Sequence, residues 1–265
     1  MSTLIHPTAV VHPKAEIHPS VKIGPYAVIG EHVNIGADSI VDAHVVIDGH
    51  TSIGEGNHFY PGAAIGLAPQ DLKYTGAASL VEIGNHNTFR EYVTVNRATS
   101  EGDKTSIGSN NLLMAYVHVA HNCVLADNII IANSVAIAGH VEIESRAVIG
   151  GMLGIHQFVH IGKMAMLGGM SRIDRDVPPF MLVEGNPSKV RSLNLVGLKR
   201  SGLNLDEMKL LKKAFRTLYR SDLKTAEAVS KLPELGEHEH LHHLHTFLEQ
   251  ALSPQRRGLT PVKRS

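Results

Sequence analysis

The sequence predicts a mainly β chain, a long stack of short strands with a small α-helical domain behind it. Three observations predict this. Apolar residues recur at every sixth position over most of the chain. Aromatics are only 5% and tryptophan is absent, while glycine reaches 24, so the core must be filled by aliphatic side chains in a regular packing. The six-residue period then stops after Val177-Pro178-Pro179 and a helical spacing replaces it.

The period runs from Ile5 through Val11, Ile17, Ile23, Ile29, Ile35, Val41, Ile47, Ile53 and Phe59 to Ile65. It resumes at Ile83, Phe89 and Val95, and again from Ile107 through Val119, Ile137 and Ile155 to Ile173, giving 26 hexads in all. A helix repeats at about 3.6 residues and a simple amphipathic strand at about 2, so six is one short strand plus one turn. Four positions after the early anchors stands a second, smaller inward residue: Ala9, Ala15, Val21, Ala27 and Val33. This pattern resembles the hexapeptide-repeat family, whose chains form a left-handed parallel β-helix with three hexads, 18 residues, to a triangular coil. The 26 hexads then make about nine coils, a prism on the order of 40 Å long at ~4.8 Å per coil.

Two stretches leave the register, residues 66–82 (GLAPQDLKYTGAASLVE) and 96–106 (NRATSEGDKTS). Loops thrown out of a rigid scaffold are where function concentrates, although a tolerated insertion reads the same way. Asn204 and Asp206 are candidate caps for a helix carrying Met208, Leu211, Phe215 and Leu218. Thr225 is a candidate cap for a short helix through Leu232, and Leu241, Leu244, Leu248 and Leu252 mark another from about Glu237 to Leu252. The run HEHLHHLH (238–245) reads as that helix's polar face rather than a metal site, and the basic tail SPQRRGLTPVKRS as poorly ordered. The expected division is a β-helix domain over 1–190 and a helical domain over 191–265.

The 265 residues are 43% apolar and carry no net charge, a globular composition. One cysteine excludes an internal disulfide framework and a four-cysteine zinc site. There is neither a signal-peptide pattern nor an apolar run of ~18 residues, so the expectation is a cytoplasmic protein without a membrane span. Residues 1–170 hold 8 Lys and Arg against 14 Asp and Glu, and residues 171–265 hold 17 against 11, so the halves carry −6 and +6. The basic third suits an acidic partner, and without an aromatic-interleaved basic motif nucleic acid is not expected.

With an 18-residue coil, His121, Gly139 and Gln157 fall in one column, and Asn122 and His140 in the next. His118 and His156 lie nearby. Single histidines recur at turns all along the chain, as His6, His12, His18, His32, His44 and His50 do, so one of them means little. The stacked set means more. An imidazole suits a general base, and a glycine N–H one coil away is a candidate oxyanion donor, a pairing that suits acyl transfer. Cys123 is the rival nucleophile, but it occupies the inward small-residue slot and reads as core.

The segments QDLKY (70–74), REYVTVNRAT (90–99), LLMAYVHVAHNC (112–123), IAGHVEI (137–143), GIHQF (154–158), DVPPF (176–180) and NLVGLKRSG (194–202) are similar to those of the UDP-N-acetylglucosamine 3-O-acyltransferase family, over nearly the whole chain. The resemblance implies the first step of lipid A synthesis. A 3-hydroxyacyl chain passes from acyl carrier protein to the glucosamine 3-hydroxyl, with no metal or cofactor. His121 would be the general base and the Gly139 N–H the oxyanion donor. Asp71 and Lys73 match loop residues that contact the sugar nucleotide, and His118, His140, His156 and Gln157 match pocket residues. Asn194 and Arg200 match residues that reach the nucleotide. Gly169 lies where the family tunes acyl length, and a glycine there implies a longer chain than a bulky residue would allow. The resemblance also implies a homotrimer with sites between subunits, and acyl carrier protein, being acidic, suits the basic third.

The chain departs from that pattern at four places. Asn122 stands where aspartate commonly follows the base, which implies either a weaker base, strengthened by Asn122→Asp, or a partner for it elsewhere. Val196 and Ser201 replace a glutamate and an arginine of the nucleotide segment, and Ala98 replaces a glycine. Other readings remain open at the level of sequence. The sister N-acyltransferase carries an additional N-terminal uridine-binding domain, whereas hexads begin here at Ile5. A γ-class carbonic anhydrase would need His86, His118 and His121 on zinc, with the last two three residues apart where that family uses five. A noncatalytic scaffold would not require the ordered segments in both loops.

Overall fold

The computed structural model describes residues 4–262. Each hexad contributes a strand of mostly two residues that ends on the apolar anchor, as in Val10–Val11, Val28–Ile29 and Val46–Ile47. Strands three apart in sequence pair in parallel, which gives three faces: a first sheet of nine strands, a second of eight and a third of ten. Partners in regular coils are 18 residues apart, as Val10 is from Val28. The chain is a left-handed parallel β-helix, as its period predicts.

Every anchor from Ile23 to Ile173 is buried, while Ile5 is exposed and Val11 and Ile17 are half-buried at the open N-terminal end. Each fully buried aliphatic side chain contributes about 1.5–3 kcal/mol of transfer free energy, so the stack of anchors drives the winding. The third residue after an anchor turns the corner in the left-handed region, as at Tyr116 (φ 62°), Asn122 (φ 59°), Asn128 (φ 59°) and His140 (φ 59°). Cys123 is fully buried and its thiol is pushed up to about 12 by desolvation, which fits a core residue.

Both insertions leave the prism at the same corner. Ala64 pairs with Thr94 and Thr94 with His118, so successive first-sheet strands are 30 and then 24 residues apart. Residues 66–82 and 96–106 therefore both bridge from the first sheet to the second, one above the other. The turn of His121 and Asn122 follows at that corner on the next coil.

The last coil is closed by antiparallel strands Met181–Glu184 and Lys189–Leu193, which span the expected boundary at residue 190. Helix α1 (Leu195–Arg200) is short and was not expected from the spacing. Helix α2 (Leu205–Tyr219) begins as expected at Asn204, whose side chain accepts from the Asp206 and Glu207 N–H groups in a capping box. Helix α3 (Thr225–Ser230) has Lys224, not Thr225, at its N-cap. Helix α4 spans Glu239–Ala251. Leu198, Leu211, Leu241, Leu244 and Leu248 join the same buried cluster as the prism anchors.

Two expectations are corrected here. The histidine run is a polar face only in part: His242 is exposed, but His240 is buried and His243 Nε2 lies 2.7 Å from Glu144 Oε2 on the prism. Glu144 also meets His160 Nε2 at 3.0 Å, so one carboxylate ties α4 to the last coils. The tail is also fixed. Leu259 and Val262 bridge to Asp176 and Val190, Thr260 is buried, and Arg256 Nε reaches the buried Asp176 carboxylate at 3.2 Å. Residues 263–265 of that tail, like residues 1–3, lie outside the described residues.

Candidate active site

The site is assembled at the corner between the first and second sheets. Val119 ends a first-sheet strand, and the turn after it presents His121 and Asn122. One coil further on, Gly139 and His140 occupy the same two turn positions, and Gln157 and Phe158 follow. The His140 N–H donates to the His121 carbonyl (3.0 Å) and the Phe158 N–H to the Gly139 carbonyl (3.2 Å), which fixes the two columns. The expected stack of His121, Gly139 and Gln157 is thus realised, and Phe158 extends the second column.

His121 is half-buried and lies directly over Gly139. A Cβ built on Gly139 would fall 2.4 Å from His121 Cε1 and 2.7 Å from Nε2, so only glycine leaves room for the ring. The Gly139 N–H donates to no acceptor among the described residues, and the same is true of the turn N–H groups of His121 and Gln157. The His140 ring stands edge-on to His121 (5.2 Å, 86°) and stacks on Phe158 (4.7 Å, 19°).

The tautomer of His121 follows from its neighbours. His121 Nδ1 is 3.0 Å from Asn122 Oδ1, and that oxygen also accepts from the Thr99 N–H and hydroxyl, each at 3.1 Å. A backbone N–H only donates, so the Asn122 atom facing it must be oxygen. The His121 nitrogen on that oxygen therefore carries hydrogen, and Nε2 holds the free lone pair that a general base needs. The other end of the amide donates to Asp103 Oδ2 at 3.3 Å.

His118 points from the first sheet beside this turn and its Nδ1 is 2.7 Å from the Thr94 hydroxyl. Burial, and next the neighbouring His121, push its pKa below the ordinary imidazole range. His140 is lowered by the same two causes, while Asp103 and Asp71 act in the opposite direction. The two imidazoles that flank His121 are thus biased toward the neutral form.

The two loops brace one another on the coils that precede this turn. Arg97 Nη1 donates to the Gly66 carbonyl (2.8 Å) and Arg97 Nε to the Tyr74 hydroxyl (3.0 Å). Asn96 Nδ2 donates to the Ala68 carbonyl (3.0 Å), and the Ser79 hydroxyl to the Ala98 carbonyl. Asp71 Oδ1 accepts from the Lys73 N–H (2.9 Å), and the Lys73 side chain is exposed. Ala98 is fully buried without a left-handed backbone, so no glycine is required there.

One chain does not bring all the expected residues together. His156 is exposed on the first-sheet side of the turn, and its Nδ1 meets the Gln157 carbonyl at 3.3 Å. Gly169 is exposed at the corner between the third and first sheets, beside Met152 and Met170. Asn194 is buried, donates to the Met164 carbonyl (3.0 Å) and caps α1 through the Gly197 N–H (3.0 Å). Met164 belongs to the corner between the second and third sheets, so α1, with Arg200 and Val196 exposed on it, is not at the His121 corner. A 480 Å³ cleft lies near it, lined by Asn128, Arg146, Lys163, Ser201 and His240.

Within one chain the three histidines of the zinc reading do not meet. His86 turns the corner between the second and third sheets, away from His118 and His121, and among the described residues no three His, Cys, Asp or Glu side chains converge on a common point. Sequence reasoning missed Thr99, Asp103 and Arg97. The signal was present: anchors 65, 95, 119, 137 and 155 all belong to the first sheet, so both loops had to emerge over His121.

Comparison with known proteins places this geometry. Residues 104–139 match the family model "Bacterial transferase hexapeptide (six repeats)", and residues 176–260 match "Udp N-acetylglucosamine O-acyltransferase; Domain 2". The acyl-[acyl-carrier-protein]–UDP-N-acetylglucosamine O-acyltransferase of Gloeothece citriformis is 61% identical over 80% of this chain and 78% of its own length. The enzyme of the same name from Rippkaea orientalis is 62% identical over 80% and 77%. The solved structure of Francisella novicida UDP-N-acetylglucosamine acyltransferase superposes with a TM-score of 0.93 at 35% identity, covering 98% of this chain and 95% of that one. The overall fold and most of the sequence are thus shared with one set of proteins, and this chain belongs to the family of acyl-[acyl-carrier-protein]–UDP-N-acetylglucosamine O-acyltransferases.

Proposed function

We propose that the protein transfers a 3-hydroxyacyl chain from acyl carrier protein to the 3-hydroxyl of UDP-N-acetylglucosamine, the first step of lipid A synthesis. The observation that carries this is His121, held by Asn122 with Nε2 free, over a glycine, in a chain of this family. His121 Nε2 takes the proton of the sugar hydroxyl as its oxygen attacks the thioester carbon. The Gly139 N–H meets the oxyanion. Collapse breaks the carbon–sulfur bond, the imidazolium returns the proton to the departing thiolate, and ester and free thiol leave. His118 and His140, both biased toward the neutral form, suit a pocket for an uncharged sugar, and Asp71, Lys73 and Gln157 serve as its further contacts.

The assembly is a homotrimer, with Asn194 and Arg200 of a neighbouring chain completing the site. The support is their position at a different corner from His121. The acyl chain runs toward Gly169, where exposed Met152 and Met170 offer an apolar edge. A Cβ on Gly169 would lie 3.1 Å from the Gly151 carbonyl oxygen, so Gly169→Met should shift preference to shorter donors. The +6 C-terminal third receives the acidic carrier protein. Among the described residues no helix is long and apolar enough to cross a membrane.

The test is an acyl-transfer assay with UDP-N-acetylglucosamine and a panel of 3-hydroxyacyl carrier proteins, run beside His121→Ala. Turnover abolished in the variant supports reaction, acceptor and base together. Folded wild type that turns over no donor overturns the acceptor, and the 3-amino sugar nucleotide, which would give an amide, is then tried.

A further inference from the structure

We infer that Asp103 is the carboxylate partner of the catalytic base, acting on His121 through the Asn122 amide, which makes it a positioning residue. The inference rests on the acyl-transfer reading above. It begins from an overloaded oxygen. Asn122 Oδ1 accepts from His121 Nδ1, from the Thr99 N–H and from the Thr99 hydroxyl. Three donors on one amide oxygen draw electron density toward it and leave the amide nitrogen end more acidic. That end donates to Asp103 Oδ2 at 3.3 Å, so His121, Asn122 and Asp103 form one chain of hydrogen bonds with a full negative charge at its far end.

Asp103 is built to stay there. Its N–H donates to the Ser100 carbonyl (3.1 Å) and its carbonyl accepts from the Leu80 N–H (2.9 Å), so the stem of the second loop is fixed by main-chain bonds. Adjacent Lys104 is engaged by Glu82 at 2.7 Å, and among the described residues Asp103 has no ion pair with a lysine or arginine. Its charge is left for the histidine corner. The imidazoles of His118 and His140 face His121, and His140 in turn faces Asp103 and Asp71. When His121 takes the hydroxyl proton, the imidazolium is polarised through the amide toward Asp103. An isolated amide would hold the ring but could not answer its charge.

The experiment compares wild type, Asp103→Asn, Asn122→Asp and the double variant Asp103→Asn/Asn122→Asp. It measures kcat and kcat/KM against pH, and follows the His121 ring by NMR titration, assigned with His121→Ala. Expected for Asp103→Asn is a kcat loss of about 5- to 10-fold. The acid limb of kcat/KM and the His121 titration both move to lower pH, with the acceptor KM within about 2-fold. The double variant places a carboxylate directly on Nδ1 and regains most of the lost rate. With Asp103 still present, Asn122→Asp sets two carboxylates against one another and falls below the double variant. Wild-type rate and titration in Asp103→Asn overturn the inference, as does a loss that Asn122→Asp fails to restore. If wild type transfers no acyl group, the acyl-transfer reading falls, and the NMR titration still decides whether Asp103 acts on His121.

Discussion

The corner between the first and second sheets carries two pairs of histidines, one below the loops and one above. His32 and His50 stack face to face at 4.3 Å, and among the described residues neither ring has a hydrogen bond to another side chain. His121 and His140 meet edge-on at 5.2 Å, with His121 fixed by Asn122 and roofed by the second loop through Thr99. Both pairs belong to the same face of the same repeat. What separates them is the pair of insertions: Thr99 holds the Asn122 that fixes His121, and Asp103 and Asp71 act on His140, whereas the lower pair meets the first insertion through the main-chain ladder of His50 with Leu80. A repetitive scaffold offers many equivalent turns, and the site is where the repeat is interrupted.

The comparison breaks most sharply by single truncations. His121→Ala should lower kcat by roughly 10²- to 10⁴-fold, the range for a positioned general base, with the prism intact by circular dichroism. His32→Ala should stay within about 2-fold of wild type, since an exposed ring with no polar partner contributes little. A large loss in His32→Ala would mean that the lower pair is also part of a site.

Gly139→Ala sharpens the comparison without touching the base itself. The added methyl would enter the His121 ring at 2.4 Å, so the imidazole must swing off its bond to Asn122. Displacements of that size cost about 10²-fold in rate. The loss should appear in kcat with little change in thermal stability. Arg97→Ala comes next. It removes the donors to Gly66 and Tyr74 and frees the first loop from the second, and the acceptor KM should rise about 10-fold while kcat changes less.

How far this was legible from sequence differs between the two parts of the molecule. The prism was legible because its core is one repeated decision, an aliphatic residue every sixth position, and all the anchors from Ile23 to Ile173 are buried. The columns of His121 and His140 followed from simple counting. The polar architecture did not, because Asn122 meets Thr99 and Asp103 across 23 and 19 positions, and those two residues sit in the 96–106 loop, whose path no period predicts. The same holds at the far end. The spacing of leucines marked helix α4, but its histidines read as solvent-facing because the acceptor, Glu144, lies 99 positions earlier in the prism.

That far end gives the smallest catalytic effect and a clean test of the division of labour. Burial disfavours the Glu144 carboxylate, but hydrogen bonds from His160 and His243 outweigh it and hold the carboxyl at about 2. A folded pKa below the ordinary value near 4.5 means stability that is present above that value and lost as pH falls toward about 2. Glu144→Gln removes this linkage. At pH 6 the variant should unfold at lower temperature than wild type, and the gap should narrow as pH falls from about 4.5 toward 2. Turnover at neutral pH should stay within about 2-fold, because Glu144 binds helix α4 to the last coils and has no contact with the His121 corner. Equal acid sensitivity in both proteins would show that the clamp does not set the stability of the cap. A large loss of turnover would show instead that the helical end and the histidine corner are coupled.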